Sequence, residues 1–506
     1  MAGNPSGTPV YPFPQPPSHA FVEITNICSG GCRFCPSGIS KRSPLHLKPE
    51  WFYKFINGLK ACGFTPSTHF HVLGEPLQNP RFFQHLKTAA RSGIPVTVVS
   101  SKALSGPDRL NKLLAHEPGC LVVSFDPQMD DDRYISLYSR AMEAKYARPS
   151  RSRIEFHLGS DTLWRQSGLL HLDDGAALPH ILPRYDVNQR FRTLAEKLDQ
   201  ESRKLSRLYP EEYGRQYKTT LKECSPEVKR GMISLDIKDI PGDVDSLSEE
   251  AYWGHMAAPG VFLRVKQFGL WNQKPGFLRK ILPEDTFFFI EERTSPMRCS
   301  LAGSLVMLSD GTLTGCCLDY DGDLAMGHIE ELDVPSFWQL KERRRLAENA
   351  MQFKPCRRCK GKLFLFSRTP PPGPEQELKA LGTGWHEYEP ELLNQGGRWS
   401  TGDSNLYFFN RLPAAREVRL QLVVPQADDK IDISISRYNP DQDTFTSPEV
   451  HTKTPSNPGQ VEEIHLRQPF DQFALYRIRI QSPARRLSPD DPRNLGIILL
   501  SAHARG

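Results

Sequence analysis

The chain reads as an α/β protein, a partial (β/α)6 TIM-like barrel followed by a small cysteine-bearing α+β domain and a C-terminal all-β sandwich. Three observations lead there. Between Ala20 and about Ser160, short β-type apolar runs alternate with amphipathic helical patterns, as in a parallel sheet built from βα units. Eight of the eleven cysteines fall in three tight groups, two of which lie beyond Pro296. After the proline-rich stretch Thr369 to Pro374, turn-separated runs of alternating polarity replace the helical patterns.

The runs Phe21 to Ile24, His69 to Leu73, Val96 to Val99, Leu121 to Phe125 and Ile154 to Leu158 are the first five strands, with helices over Pro49 to Cys62 and Asn79 to Ser92 among the connections. Gly260 to Phe268 supplies a sixth strand. Between the fifth and sixth lies an insertion of about a hundred residues. It contains a charged helix with Phe191, Leu194, Leu198, Leu205 and Leu208 on one stripe, either a packed stripe under a solvated face or a substrate lid. Beyond the proline-rich spacer, strands are expected at Leu406 to Phe409, Val418 to Val424, Ile431 to Ile435, Val461 to Leu466, Phe473 to Ile480 and Leu495 to Leu500. The expected division is a disordered tail over 1–18, the barrel over 19–290 with the insertion at about 161–255, the second cysteine domain over 291–368, a linker over 369–380 and the sandwich over 381–506.

At 506 residues the chain is too long for one hydrophobic core. A net charge of +5, without a long block of like charge, argues against nucleic acid as a partner. No apolar run reaches the length of a membrane span. Met1 to Ser18 lacks the basic start and apolar core of a secretion signal, so a cytoplasmic location is expected. Clustered cysteines in a reducing compartment point to metal ligation, and Cys62, Cys120 and Cys224 are left over as small buried hydrophobes.

Cys28, Cys32 and Cys35 follow the first strand with three and then two residues between them. Three thiolates leave one iron of a 4Fe-4S cluster with an open position, where a substrate or cofactor binds. The competing ligand set is a structural zinc site completed by His19 or His69, although closed zinc sites favour paired ligands. The segment resembles the cluster motif of the radical S-adenosylmethionine (SAM) superfamily. That resemblance implies SAM chelated at the open iron, Phe34 near its adenine, and reductive cleavage to a 5′-deoxyadenosyl radical kept from solvent.

The second strand ends in Leu73-Gly74-Glu75-Pro76, which is similar to the superfamily's Gly-Gly-Glu-Pro element, with Leu73 in place of the first glycine. By the same resemblance Glu75 accepts from the methionine ammonium. Ser100 and Ser101 after the third strand, and Ser124 with Asp126 after the fourth, are placed like contacts to methionine carboxylate and ribose, or else they cap turns and helices. Arg264 and Lys266 share one face of the sixth strand, from which they would reach SAM carboxylate or substrate inside a barrel.

Cys299, eleven residues, Gly311, four residues and Cys316 resemble the opening of the SPASM auxiliary-cluster region, or its shortened twitch form, and Cys356 with Cys359 supply two further thiolates. Four ligands imply one closed auxiliary 4Fe-4S cluster, with zinc as the alternative occupant. Gly311 suits a hairpin turn that brings Cys299 and Cys316 together, while Cys317 is either the ligand in place of Cys316 or its packed neighbour.

The sandwich weakly resembles modules of bacterial glycan-related transferases through Trp385 and Trp399, which either stack on sugars or fill a core. The resemblances together imply hydrogen-atom abstraction from a small-molecule, sugar or peptide substrate, with a reductant such as flavodoxin or ferredoxin as partner. The rival from a different class is a noncatalytic, metal-stabilised protein that binds carbohydrate or a partner.

Overall fold

The computed structural model describes residues 17–103, 105–124, 131–148, 150–160, 170–172, 186–244, 253–267, 271–390, 392, 396–426, 429–454, 457–486, 491 and 493–505. All but Pro17 and Ser18 of the expected tail, most of the insertion's flanks, Phe125 and Asp126 lie outside them. The chain falls into two units, one of Met1–Ser167, Pro179–Ile281 and Arg293–Lys360, the other of Gly168–Leu178, Leu282–Glu292 and Gly361–Gly506.

The first unit is built on one mixed sheet. Its strands are β1 (His19–Val22), β2 (Thr68–Phe70), β3 (Val96–Ser100), β4 (Cys120–Ser124), β5 (Arg153–Ser160), β6 (Ile233–Ser234), β7 (Gly254–Ala258), β8 (Val261–Gln267), β9 (Ser304–Met307), β10 (Thr312–Thr314) and β11 (Ala325–His328), in the order β11-β10-β9-β1-β2-β3-β4-β5-β8-β7-β6. The six strands β1 to β5 and β8 run parallel in sequence order, as the alternating pattern predicts. Valines, leucines and isoleucines such as Val98, Leu121, Val123, Ile154, Leu263 and Val265 bury one face of this sheet in a single core. Helices α1 (Pro49–Ala61), α2 (Phe82–Arg91), α3 (Pro107–Ala115) and α4 (Asp131–Ala147) connect the strands, and Phe52, Phe55, Leu86, Leu113 and Tyr138 bring their apolar stripes into that core.

Two expectations change here. β9 pairs parallel with β1, His19 opposite Ser304 and Val22 opposite Met307. The second cysteine region therefore extends the barrel sheet instead of forming a sheet of its own. In the insertion, α5 (Val187–Leu208) and α6 (Pro210–Lys229) are joined at Tyr209. Phe191, Leu194, Leu198 and Leu205 of α5 enter the main core, which favours the packed stripe over a lid, whereas Leu208, at the end of the helix, is exposed.

In the second unit, Thr286–Glu291 pairs antiparallel with Lys362–Ser367, which pairs parallel with Leu170–Leu172. Those residues were expected in the barrel, the second cysteine domain and the insertion. They group with the sandwich because Phe289, Phe364 and Phe366 bury against Tyr407, Phe409 and Leu475. The sandwich pairs one sheet of Glu375–Glu377, Ile498–Arg505, Glu417–Val423 and Val461–Arg467 with another of Ala380–Leu381, Asp403–Phe409, Leu475–Gln481 and Ile431–Asn439. The expected linker 369–380 thus contributes edge strands. Val461–Arg467 alternates exposed and buried residues, the period that a half-buried strand requires. Trp385 is half-buried, packs against the sandwich core and donates from Nε1 to the Asn405 carbonyl at 2.7 Å.

Candidate cluster and cofactor site

The loop after β1 carries the first cysteine group. Cys28, Cys32 and Cys35 form no disulfide and are half-buried. A Cβ built on Gly30 would lie 3.3 Å from Cys28 Sγ and 3.7 Å from Cys32 Sγ, so these two thiols both lie close to that glycine. Burial pushes the Cys28 thiol up, and the neighbouring Cys35 and Glu75 charges add to that shift. Among the described residues, no three His, Cys, Asp or Glu side chains are gathered as ligands of a single ion. A cubane does not ask for that, because each thiolate holds a different iron. The three thiols on one short loop, two of them beside Gly30, fit such a group. Of the two histidines weighed as zinc ligands, His19 contacts Ser18 Oγ and His69 stacks on Phe21 with ring centroids 4.9 Å apart.

The Gly74-Glu75-Pro76 element closes against this loop. β2 ends at Phe70, earlier than its apolar run suggests, and the chain turns at Gly74 with φ +76°. A Cβ there would stand 2.1 Å from the Thr25 carbonyl oxygen, so no other residue fits. Glu75 N donates to Ile27 O at 2.9 Å, which fixes the glutamate beside the residue that precedes Cys28. The buried Glu75 carboxylate accepts from Ser100 Oγ at 2.5 Å, Leu77 N at 3.3 Å, Ser101 N at 3.0 Å and Ser101 Oγ at 3.1 Å. Four bonds fill a carboxylate's acceptor positions. Ser100 and Ser101, expected to contact methionine carboxylate or ribose, are here engaged by Glu75. For the ammonium to reach Glu75, one hydroxyl must rotate away.

Ser124 ends β4 half-buried, Phe34 is half-buried with its carbonyl accepting from Trp271 Nε1 at 2.8 Å, and Pro76 is buried. Arg264 departs from expectation. Its guanidinium lies 3.1 Å from Glu155 Oε1 and 3.1 Å from Glu227 Oε1, and the residue is almost fully buried. The insertion helix α6 supplies Glu227, a partner that the strand pattern could not reveal. Glu155 also meets Arg153 at 2.8 Å and His157 Nε2 at 3.0 Å. Burial alone would raise the Glu155 carboxyl, but the His157 hydrogen bond and the two arginines overcome that and hold it at about 2.

Lys266 lies two residues beyond Arg264, where burial lowers its ammonium and the neighbouring Cys317 opposes the shift. His69 and His71 share this region. Burial, with His19 and Lys266 as cationic neighbours, lowers His69 to about 4, and burial, with Lys266, His69 and His157 nearby, lowers His71 to about 3. The sequence reading passed over His71, Glu155 and His157 as functional residues. Their signal was present as polar residues at alternate positions, Glu155 with His157 and His69 with His71, in strands of a parallel sheet that are normally apolar throughout.

The second cysteine group is assembled by β9, β10 and the short helix Lys354–Cys359. Gly311, with φ +85°, makes the turn between β9 and β10, and its N donates to Leu308 O at 2.9 Å. Cys356 and Cys359 lie one turn apart on their helix. Burial pushes both thiols up to about 12, and Cys316 and Cys299 are charged neighbours of each. Cys299 and Cys356 also pack against one apolar cluster around Leu346 and Met351. The Cys317 thiol meets that of Cys316 and packs with Cys35 and Trp271 against Phe21, Val72 and Tyr320. The four thiols Cys299, Cys316, Cys356 and Cys359 thus form one neighbourhood and fit a closed cluster. Cys62 and Cys224 are buried as expected, and Cys120 is half-buried on β4.

Residues 299–360 match the family described as SPASM, an iron-sulfur cluster-binding domain. This stretch of the chain is therefore an SPASM iron-sulfur cluster-binding region, and the resemblance to SPASM-type radical SAM proteins stands on it. No curated protein matches the chain. Among solved structures, the chain is similar to BtrN in complex with AdoMet and 2-DOIA, at 13% identity and TM-score 0.34 over 68% of this chain and 92% of that one. It is also similar to anSMEcpe with bound AdoMet, at 11% identity and TM-score 0.33 over 68% of this chain and 86% of that one. Streptococcus suis SuiB bound to S-adenosylmethionine matches at 13% identity and TM-score 0.33 over 65% of this chain and 67% of that one. No helix among the described residues is long and apolar enough to cross a membrane.

Proposed function

We propose that the chain is a radical SAM enzyme that abstracts a hydrogen atom from a peptide or sugar-type substrate, with a two-electron oxidation or another C–H modification as the outcome. The observation that carries this reading is the closure of Gly74 and Glu75 onto the loop of Cys28, Cys32 and Cys35, through Glu75 N on Ile27 O and Gly74 on Thr25.

In this reading the three cysteines hold a 4Fe-4S cluster. With SAM and an electron from a flavodoxin- or ferredoxin-type donor, that cluster supplies a 5′-deoxyadenosyl radical. Glu75 takes the methionine ammonium, with Ser100 and Ser101 orienting its carboxylate. Ser124 and Asp126 serve the methionine carboxylate and ribose, and Phe34 lies along the adenine. Lys266, His71 and His157 line the substrate's approach within the sheet. Cys299, Cys316, Cys356 and Cys359, rather than Cys317, hold the auxiliary cluster, which offers an acceptor for a second substrate electron. Arg264 has a supporting role through Glu155 and Glu227. Eleven cysteines without a disulfide among them suit a reducing, cytoplasmic setting.

The decisive experiment is anaerobic reconstitution followed by reduction with SAM present. About eight irons per chain and reductant-dependent 5′-deoxyadenosine are expected. A fully loaded, reduced protein that leaves SAM intact overturns the enzymatic reading, and tightly bound zinc at Cys299, Cys316, Cys356 and Cys359 overturns the auxiliary-cluster assignment.

A further inference from the structure

Between β8 and Ile281 the chain passes both cysteine sites in eleven residues, Trp271 to Ile281, and bonds to each. Toward the first site, Trp271 Nε1 donates to Phe34 O at 2.8 Å, and Lys280 Nζ donates to Cys35 O at 2.6 Å and Cys32 O at 3.2 Å. Arg33 returns a bond to Ile281 O at 3.0 Å. Toward the second site, Gln273 Nε2 donates to Cys359 O at 3.4 Å. Lys274 Nζ stands 2.7 Å from Asp323, 3.2 Å from Asp321 and 3.9 Å from Asp319, in the loop that follows Cys316.

Trp271 and Gln273 hold φ at +44° and +52°. Side-chain-bearing residues keep that conformation only where their surroundings over-determine it. The Trp271 ring also meets Tyr320 edge-on at 6.0 Å, so the strained turn is wedged between the two loops.

We propose that Trp271–Ile281 is a strap that couples the two cysteine sites, with Lys274 and Lys280 as its positioning residues. Lys274 sets one positive charge among three carboxylates that repel one another in the loop after Cys316. Lys280 fixes the carbonyls of Cys32 and Cys35 in the first loop. Order at one site therefore stabilises order at the other, and the effect is reciprocal. The spectroscopic arm of the test rests on the reading of both cysteine groups as cluster ligands, and the exchange arm rests on the polypeptide alone.

The test is hydrogen–deuterium exchange on the anaerobically reconstituted full chain, comparing wild type with Lys274→Met, Lys280→Met and Lys274→Arg. Lys274→Met is expected to speed exchange in the segment around Cys32 to Cys35, which Lys274 does not touch, by about tenfold. Lys280→Met is expected to do the same around Cys316 and Cys356 to Cys359, and Lys274→Arg is expected to behave as wild type. In parallel, Lys274→Met is expected to weaken the SAM-dependent change in the spectrum of the reduced first cluster by about tenfold in affinity. Changes confined to each lysine's own loop overturn the strap. A wild-type protein without any SAM-dependent spectral change overturns the proposed function, while the exchange arm still decides the strap.

Discussion

The Arg42 guanidinium meets the fully buried Glu23 carboxylate at 2.7 Å, and this pair joins four pieces of chain. Glu23 lies just beyond β1 and also accepts from Leu73 N at 2.9 Å and Ser309 N at 3.0 Å. Arg42, after the first cysteine loop, donates to Tyr320 O at 2.7 Å and Ser309 Oγ at 3.2 Å. The loop after Cys35, the Gly-Glu-Pro element and the turn of the second cysteine region thus share one ion pair. Removing one partner leaves the other charge buried. Arg42→Ala and Glu23→Gln are each expected to cost about 3–5 kcal/mol. The double variant should cost less than the sum of the two, as read by denaturant unfolding.

Gly74→Ala should be as damaging as a core truncation, because its Cβ would sit 2.1 Å from the Thr25 carbonyl oxygen at φ +76°. A loss of about 2 kcal/mol or more is expected in thermal unfolding. Glu75→Gln keeps the shape but turns an amide toward donors. SAM affinity should fall by about tenfold or more with the iron content of the first site retained, measured by equilibrium binding and metal analysis.

Cys316→Ser and Cys317→Ser separate two adjacent thiols. Cys316 shares a neighbourhood with Cys299 and Cys356, and Cys317 packs by Phe21 and Val72. Iron analysis should show roughly four irons lost from the Cys316 variant and none from the Cys317 variant.

Stability should fall between pH 7 and pH 5 in part through His85. Its ring is buried against Phe52, with centroids 4.5 Å apart and no hydrogen-bond partner for Nε2. Burial, assisted by the Arg81 charge, lowers it from 6.5 to about 4. Below pH 6.5 the unfolded chain takes up a proton that the folded chain refuses, so the stabilisation is present above that pH and is lost as pH falls toward the folded value. By pH 5 the loss is about 2 kcal/mol. His85→Leu should flatten that slope in pH-dependent denaturant unfolding by about this amount, leaving the part of it that His69 and His71, lowered to about 4 and about 3, contribute.

The six parallel strands were legible because each is a short β-rich run between helical patterns, continuously apolar in Leu121 to Val123 and alternating with polar residues in Ile154 to Leu158. Phe287, Phe289, Phe364 and Phe366 were assigned to the wrong unit for the same reason. A β-rich run declares itself a strand but not which strand it will pair with. In the site, the cysteine spacing and Gly74-Glu75-Pro76 could be read directly, since they are local. The four bonds on Glu75 and the Glu155 and Glu227 partners of Arg264 could not, since Ser101 is 26 residues from Glu75 and Glu227 is 37 from Arg264.

By itself the amino-acid sequence determined the chemistry available to this protein: two groups of thiols at ligand spacing, a turn that only glycine can make, and strands whose period specifies a parallel sheet. Tertiary structure alone decided how the groups meet. It placed β9 beside β1 and brought Glu23 to Arg42. It also ran Trp271–Ile281 past both cysteine loops, and it spent Ser100, Ser101 and Arg264 on buried carboxylates. Spacing along a chain constrains neighbours within a turn or a strand, whereas a buried charge takes whichever opposite partner the completed fold carries to it.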